Sequence, residues 1–186
     1  MAAPAALRFS TNTICKKMNR LLAFYYGSHP DNHGRMLAEM LKQDDHWLEV
    51  CHDYIQWLFP TKEFSRVTAD APILDKHTIE AFRTDELLRN HLRAALIRIL
   101  AFYGLKLTPA GVVKASNWDA RKSNWFTENT HNSLRITRIL KCLDSLGLGI
   151  EAKAFQSGLK SLCASEPDCG IDEIAMQFWR DAVSIR

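Results

Sequence analysis

The sequence predicts an all-α protein: a single compact multi-helix domain with irregular aromatic-rich loop segments. Three observations predict it. Apolar residues recur every three or four positions along most of the 186 residues, the period of a helix with one buried face. No apolar–polar alternation lasts long enough to build a sheet. Gly104 and Gly147 each follow a long periodic stretch, at the place where helices end on a left-handed residue.

Taken in order, residues 14–26 read as a short helix with Ile14, Met18, Leu21, Leu22 and Tyr25 on one face. Residues 27–32 form a turn cluster. Met36, Leu37, Met40 and Leu41 repeat at helical spacing, and Asp44 or Asp45 is placed to cap a further turn carrying Trp47, Leu48 and Cys51. Between Phe59 and Asp75 periodicity fades; Pro60 and Pro72 press the residues before them toward extended backbone, making this the longest loop. Thr84 reads as the N-cap of the clearest helix, with Asp85 and Glu86 in its first turn and a stripe of Leu88, Leu92, Ala95, Leu96, Ile99, Leu100 and Tyr103. Residues 109–124 read as irregular. A helix over 132–146 turns Leu134, Ile136, Ile139, Leu140, Leu143 and Leu146 inward, and another spans 150–163. The last helix carries Ile171, Ile174, Ala175, Phe178, Ala182 and Val183. The whole chain, 1–186, reads as one domain, with a motif-bearing core at about 24–148 and a helical extension over 149–186.

Composition narrows the function. Hydrophobic residues make up 47% and charged residues 24%, an ordinary globular balance, and a net charge of +3 does not by itself call for nucleic acid. Five scattered cysteines without a Cys-x-x-Cys pair argue against a disulfide framework or structural zinc and point to a reducing, intracellular and cytoplasmic setting. Cys51, Cys142 and Cys163 lie among apolar neighbours and read as small core residues. No apolar run matches a membrane span; Arg98 interrupts the longest. Arg8, Lys16, Lys17 and Arg20 precede the first acidic residue, Asp31, as in a transit peptide, but the bulky apolar stretch 21–26 favours a basic first helix.

Two passages stand out chemically. The first is His52-Asp53-Tyr54-Ile55-Gln56-Trp57-Leu58-Phe59-Pro60, dense in rings. It suits either a core plug or a pocket wall in which Tyr54 and Trp57 offer flat faces and Gln56 a directional hydrogen bond. The second begins at Thr130-His131-Asn132-Ser133, where Arg135, Arg138 and Lys141 follow at three-residue spacing as a basic ridge. Upstream, Trp118, Arg121, Lys122 and Trp125 interleave rings with charge. Between Lys114 and Lys141 six basic residues (Lys114, Arg121, Lys122, Arg135, Arg138, Lys141) face two acidic ones, Asp119 and Glu128, so an anionic ligand or nucleic acid is a possible partner.

Signals for catalysis and metal binding are weak. His29 and His33 are four apart, but Pro30 and Gly34 interrupt the helix that a metal pair would need. There is no phosphate-binding glycine loop, nucleophile elbow or zinc-protease signature, so the sequence names no catalytic residue, metal or cofactor.

The segment 52–60, then Ile79-Glu80-Ala81-Phe82, then Phe102-Tyr103-Gly104, then 131–141 resemble, in that order, the conserved N-terminal region of the opioid growth factor receptor family. The resemblance implies a stand-alone relative of a receptor for the pentapeptide Met-enkephalin, associated in animals with the nucleus and its membrane. It brings no catalytic residues. The expectation is therefore a non-enzymatic peptide-binding domain whose ligand site combines Tyr54, Gln56, Trp57, His131, Arg135 and Arg138. Polyanion binding through 118–141, and an enzyme built on His52, Asp53 or His131, are the alternatives.

Overall fold

A helix that is apolar on all sides has no face to give to water and must lie at the centre of a fold. Residues 54–59 are such a segment apart from Gln56. In a computed structural model describing residues 19–65, 68–128 and 130–184, every side chain of 54–59 is buried, and most of it forms a short helix, not a loop. Among the described residues the helices are α1 (Arg20–Tyr25), α2 (Leu37–Met40), α3 (Asp45–Val50), α4 (Tyr54–Leu58), α5 (Lys76–Thr84), α6 (Glu86–Phe102), α7 (Trp118–Arg121), α8 (His131–Ser145), α9 (Gly149–Ser165) and α10 (Glu173–Asp181). Two strands, β1 (Leu105–Thr108) and β2 (Gly111–Lys114), form an antiparallel hairpin. The fold is mainly helical, and the all-α expectation is corrected by this small sheet. None of these helices is long and apolar enough to cross a membrane.

Around α4 the rings of Phe24 and Trp57 meet edge to face at 5.1 Å, and those of Trp47 and Tyr54 lie 5.0 Å apart. The polar tips find main-chain acceptors: Tyr25 donates to Leu58 O, and Tyr54 to Leu48 O at 3.1 Å. Helix α6 runs beside this cluster with its apolar stripe buried. Its cap is Asp85, which accepts from Leu87 N at 2.8 Å, and not Thr84. Thr84 instead closes α5, donating to Glu80 O at 2.8 Å. Asp44 caps α3 by accepting from Trp47 N. The expected helix over 14–26 is seen as α1; its earlier residues, with Cys15 and the basic stretch Arg8, Lys16 and Lys17, lie outside the described ones. Cys142 is fully buried, and Cys51 and Cys163 are half-buried free thiols.

The hairpin follows α6 through Gly104, whose φ of +75° turns the chain out of the helix. Four-residue strands joined by Pro109-Ala110 leave too short an alternation to register as a sheet, which is why 105–114 does not read as strand. Val112 points inward, and β2 lies across α9 at Gly158. Helices α8, α9 and α10 pack on one another. Leu134 departs from the inward face expected of it and is 70% exposed, because α8 turns Arg135, Ile136, Ile139, Leu140 and Leu143 to the core instead.

Gly158 gives a direct test of how α9 holds the hairpin. Alanine adds up to about 1 kcal/mol of helix propensity over glycine. Here its Cβ would stand 2.6 Å from Val112 O, a main-chain atom with nowhere to go. Gly158→Ala is expected to lower unfolding free energy by about 1–3 kcal/mol in urea melts, the cost of overpacking. A variant as stable as the parent would show that the strand moves freely off α9.

Candidate functional site

The site is built by α8. Short helices α3 and α4 end on carbonyls that have no intrahelical donor. Arg135, 5% exposed, answers the first: Nη1 donates to Leu48 O at 2.9 Å and Nη2 to Cys51 O at 2.9 Å. Nη1 also donates to Asn132 Oδ1 at 3.3 Å, and Nη2 lies 3.2 Å from His52 Nδ1. Arg138 answers the second, with Nη1 donating to Phe59 O and Thr61 Oγ1 at 3.2 Å each. Neither guanidinium has a carboxylate within 4.0 Å among the described residues. Burial pulls the pKa of Arg138 below its ordinary value, against the opposing influence of Cys142 and Glu63.

Over these arginines lies an open cavity of about 540 Å³. Its walls come from three places: Thr61, Glu63 and Phe64 of the long loop, the outer face of α8 with Leu134, Thr137 and Lys141, and Phe178 of α10. Phe64, Leu134 and Phe178 all stand largely exposed. A second pocket continues the groove between α8 and α10, sharing His131, Leu134, Thr137 and Phe178 and ending at Ile174 and Thr130.

Of the six residues expected to form a site, Gln56, His131, Arg135 and Arg138 line this cavity. Tyr54 and Trp57 do not; both are core residues beneath it, on the sides of α4 away from Ile55 and Gln56, which line the cavity. With its side-chain amide turned so that donors meet acceptors, Gln56 Nε2 donates to Asp53 O at 2.9 Å and to His52 O at 3.2 Å, while its oxygen accepts from Thr68 Oγ1. Phe64, which the sequence reading passed over, and Leu134 and Phe178, which it assigned to helix faces and not to a site, supply the apolar walls. A signal for Leu134 exists: it falls on one helix stripe with Arg138 and Lys141, at i, i+4 and i+7.

The histidines flank the floor. His52 and His131 meet edge to face at 5.2 Å, and His131 Nε2 lies 3.3 Å from Glu49 Oε1. Burial first, and then the charge of Arg135 and the neighbouring His52, hold His131 below the ordinary imidazole value despite Glu49. A lowered value favours the neutral ring, so the contact with Glu49 gains little as an ion pair at neutral pH. Asp53 faces away from His52. It accepts from Cys51 Sγ at 3.0 Å and Arg35 Nη1 at 2.9 Å, and contacts His33 Nε2 at 2.8 Å. Against the cost of burial, the bonds from Cys51 and Arg35 hold its carboxyl below the usual range.

The basic stretch 114–141 is largely neutralised from elsewhere in the chain. Lys114 pairs with Glu166 at 2.7 Å, Arg121 with Asp45 at 3.5 Å, Lys122 with Asp168 at 2.5 Å, and Lys141 with Glu63 at 2.8 Å. Trp118 and Trp125 are buried in a ring cluster with Phe126 and do not present stacking faces. The expected ridge of Arg135, Arg138 and Lys141 is split accordingly: Arg138 and Lys141 are half-buried, and Arg135 is inside.

Residues 14–180 match the model of the family described as the opioid growth factor receptor conserved region. The chain belongs to the opioid growth factor receptor family. It is 36% identical over 148 residues to the opioid growth factor receptor of Rattus norvegicus, covering 76% of this chain and 23% of that protein. The Homo sapiens receptor is 35% identical over 145 residues, 75% and 21% respectively. The opioid growth factor receptor-like protein 1 of Mus musculus is 41% identical over 133 residues, 68% and 28%. The chain thus spans between a fifth and three tenths of the length of these family members. The family match continues past Leu148 through α9 to within α10. No solved structure matches the chain.

Two measurements probe the floor. Lysine at 135 offers one ammonium where the guanidinium spans two carbonyls, an amide and an imidazole. Arg135→Lys is expected to cost about 2–4 kcal/mol in urea unfolding, given about 1.5–3 kcal/mol for hydrogen bonds to a charged group. Retention of full stability would show that the carbonyls find other donors. The second is pH. A His whose folded value is lowered takes up a proton later than in the unfolded chain, so stability falls as pH drops from about 6.5 through the folded value. The lowered Asp53 contributes in a separate window, below about 3.8. Urea midpoints should therefore fall between pH 7 and 5, and His131→Gln should flatten that fall; an unchanged slope would acquit His131.

Proposed function

We propose that this domain is a peptide-binding module and not an enzyme, and that its ligand lies in the groove between the loop at 61–65, α8 and α10. The observation that carries this reading is the coincidence of two guanidiniums without carboxylate partners and three exposed apolar side chains, Phe64, Leu134 and Phe178, around one cavity. Family membership supports it, since the named relatives are receptors for a growth factor. The divergence of His52 and Asp53 toward separate partners favours binding over acid–base chemistry. Unpaired cysteines fit an intracellular setting for the interaction.

The buried rings are poor probes of this reading, because truncating a core Trp costs about 3–5 kcal/mol and would damage the fold. Phe178 is 52% exposed and can be removed more safely. Titration calorimetry with Met-enkephalin should give saturable heat with the parent chain, weakened roughly tenfold by Phe178→Ala, as loss of about 1.5 kcal/mol of apolar contact implies. Absence of heat from Met-enkephalin and from a panel of short peptides, or equal heats in both proteins, would remove the groove from consideration.

A further inference from the structure

A guanidinium carries five N–H donors in a planar fork, and the fold uses one nitrogen of Arg138. Nη1 donates to Phe59 O and Thr61 Oγ1. Nε and Nη2 donate to nothing among the described residues, and neither is among the fully buried atoms left without a partner, so each keeps some exposure. These two nitrogens form the edge that meets both oxygens of a carboxylate at once. Arg135 differs, since both of its terminal nitrogens are already engaged beneath the cavity. Its charge reaches the cavity, while those donors do not. At the lip, Lys141 Nζ holds Glu63. The groove therefore contains two positive charges without an anion of their own, and one of them keeps two adjacent donors free.

We propose that the free edge of Arg138 receives the C-terminal carboxylate of the bound peptide, with Arg135 as a fixed positive charge below it. This rests on the peptide-binding reading of the groove and specifies which end of the peptide it recognises. Two parallel donors match the two oxygens of a carboxylate, whereas a phosphate dianion would leave an oxygen without a partner on this edge. The apolar walls at Leu134 and Phe178 then receive the side chain of the last residue.

The test uses the full chain and two kinds of probe. First, the arginine Nε–Hε signals are followed by NMR while sodium acetate or inorganic phosphate is added, with Arg138 assigned by the signal lost in Arg138→Lys. Acetate should move that signal saturably, at lower concentration than phosphate. Second, Met-enkephalin as free acid and as C-terminal amide is titrated into parent and Arg138→Lys, a substitution that keeps the charge but loses the fork. The acid should bind at least about tenfold more tightly than the amide, and the difference should shrink in the variant. No response of Arg138 to acetate overturns the proposal whatever the peptides do. So does equal affinity for acid and amide, and a stronger response to phosphate would reassign the edge to phosphorylated ligands. A saturable acetate response without any peptide binding supports Arg138 as the oxyanion edge and overturns the peptide reading alone.

Discussion

The fold depends on a small set of buried carbonyls. Helices α3 and α4 are only six and five residues long, so most of their main-chain polar groups are terminal and none is far from an end. They are also the elements that carry Trp47, Leu48, Tyr54 and Trp57 into the core. Leaving their last carbonyls dry and unpaired would cost more than such short helices gain from their own bonds. Arg135 and Arg138, one helical turn apart on α8, supply the missing donors to Leu48 O, Cys51 O and Phe59 O from 87, 84 and 79 residues away in the chain. The same device recurs: Arg89 closes α5 through Phe82 O and Arg83 O, Arg121 meets Phe102 O at the end of α6, and Arg83 meets Ser145 O at the end of α8. Arginine acts in this domain largely as a helix terminator that also carries charge.

This use of arginine marks the boundary of what the sequence discloses. Long helices were legible because periodicity repeats over several turns: the stripe from Leu88 to Leu100 and the left-handed Gly104 and Gly147 are local signals, and they coincide with α6 and α8. The hairpin was not, since four residues per strand carry too little alternation to outweigh a helical background. Helix α5 was also passed over, hidden behind the loop before it and the Asp85 cap after it.

The site divides along the same line. Spacing put Arg135, Arg138 and Lys141 on one helix, but spacing is blind to how that helix is rotated. The rotation is set by packing on α9 and α10 and by the bonds of Arg135 to Leu48 O and Cys51 O, and it buries Arg135 while bringing Leu134 out. Ring density at 52–60 correctly singled out an unusual segment, yet the same density fits a wall or a plug. Only the surroundings of α4, with Phe24, Tyr25 and Trp47 closing over it, separate the two. Charge counting over 114–141 misled for a related reason: the acids that neutralise it, Asp45, Glu63, Glu166 and Asp168, all come from outside the stretch.

Arg138 belongs to the architecture and to the cavity at once. One of its nitrogens holds the end of α4, and the residue also lines the groove. Substitution at this position is therefore judged twice, by the core and by whatever occupies the groove, and few side chains satisfy both. A relative could reshape Phe64, Leu134 or Phe178 and change its ligand while leaving the interior intact. It could not readily retune the charge at the floor without rebuilding the centre of the protein. The domain has a replaceable rim and an inherited base.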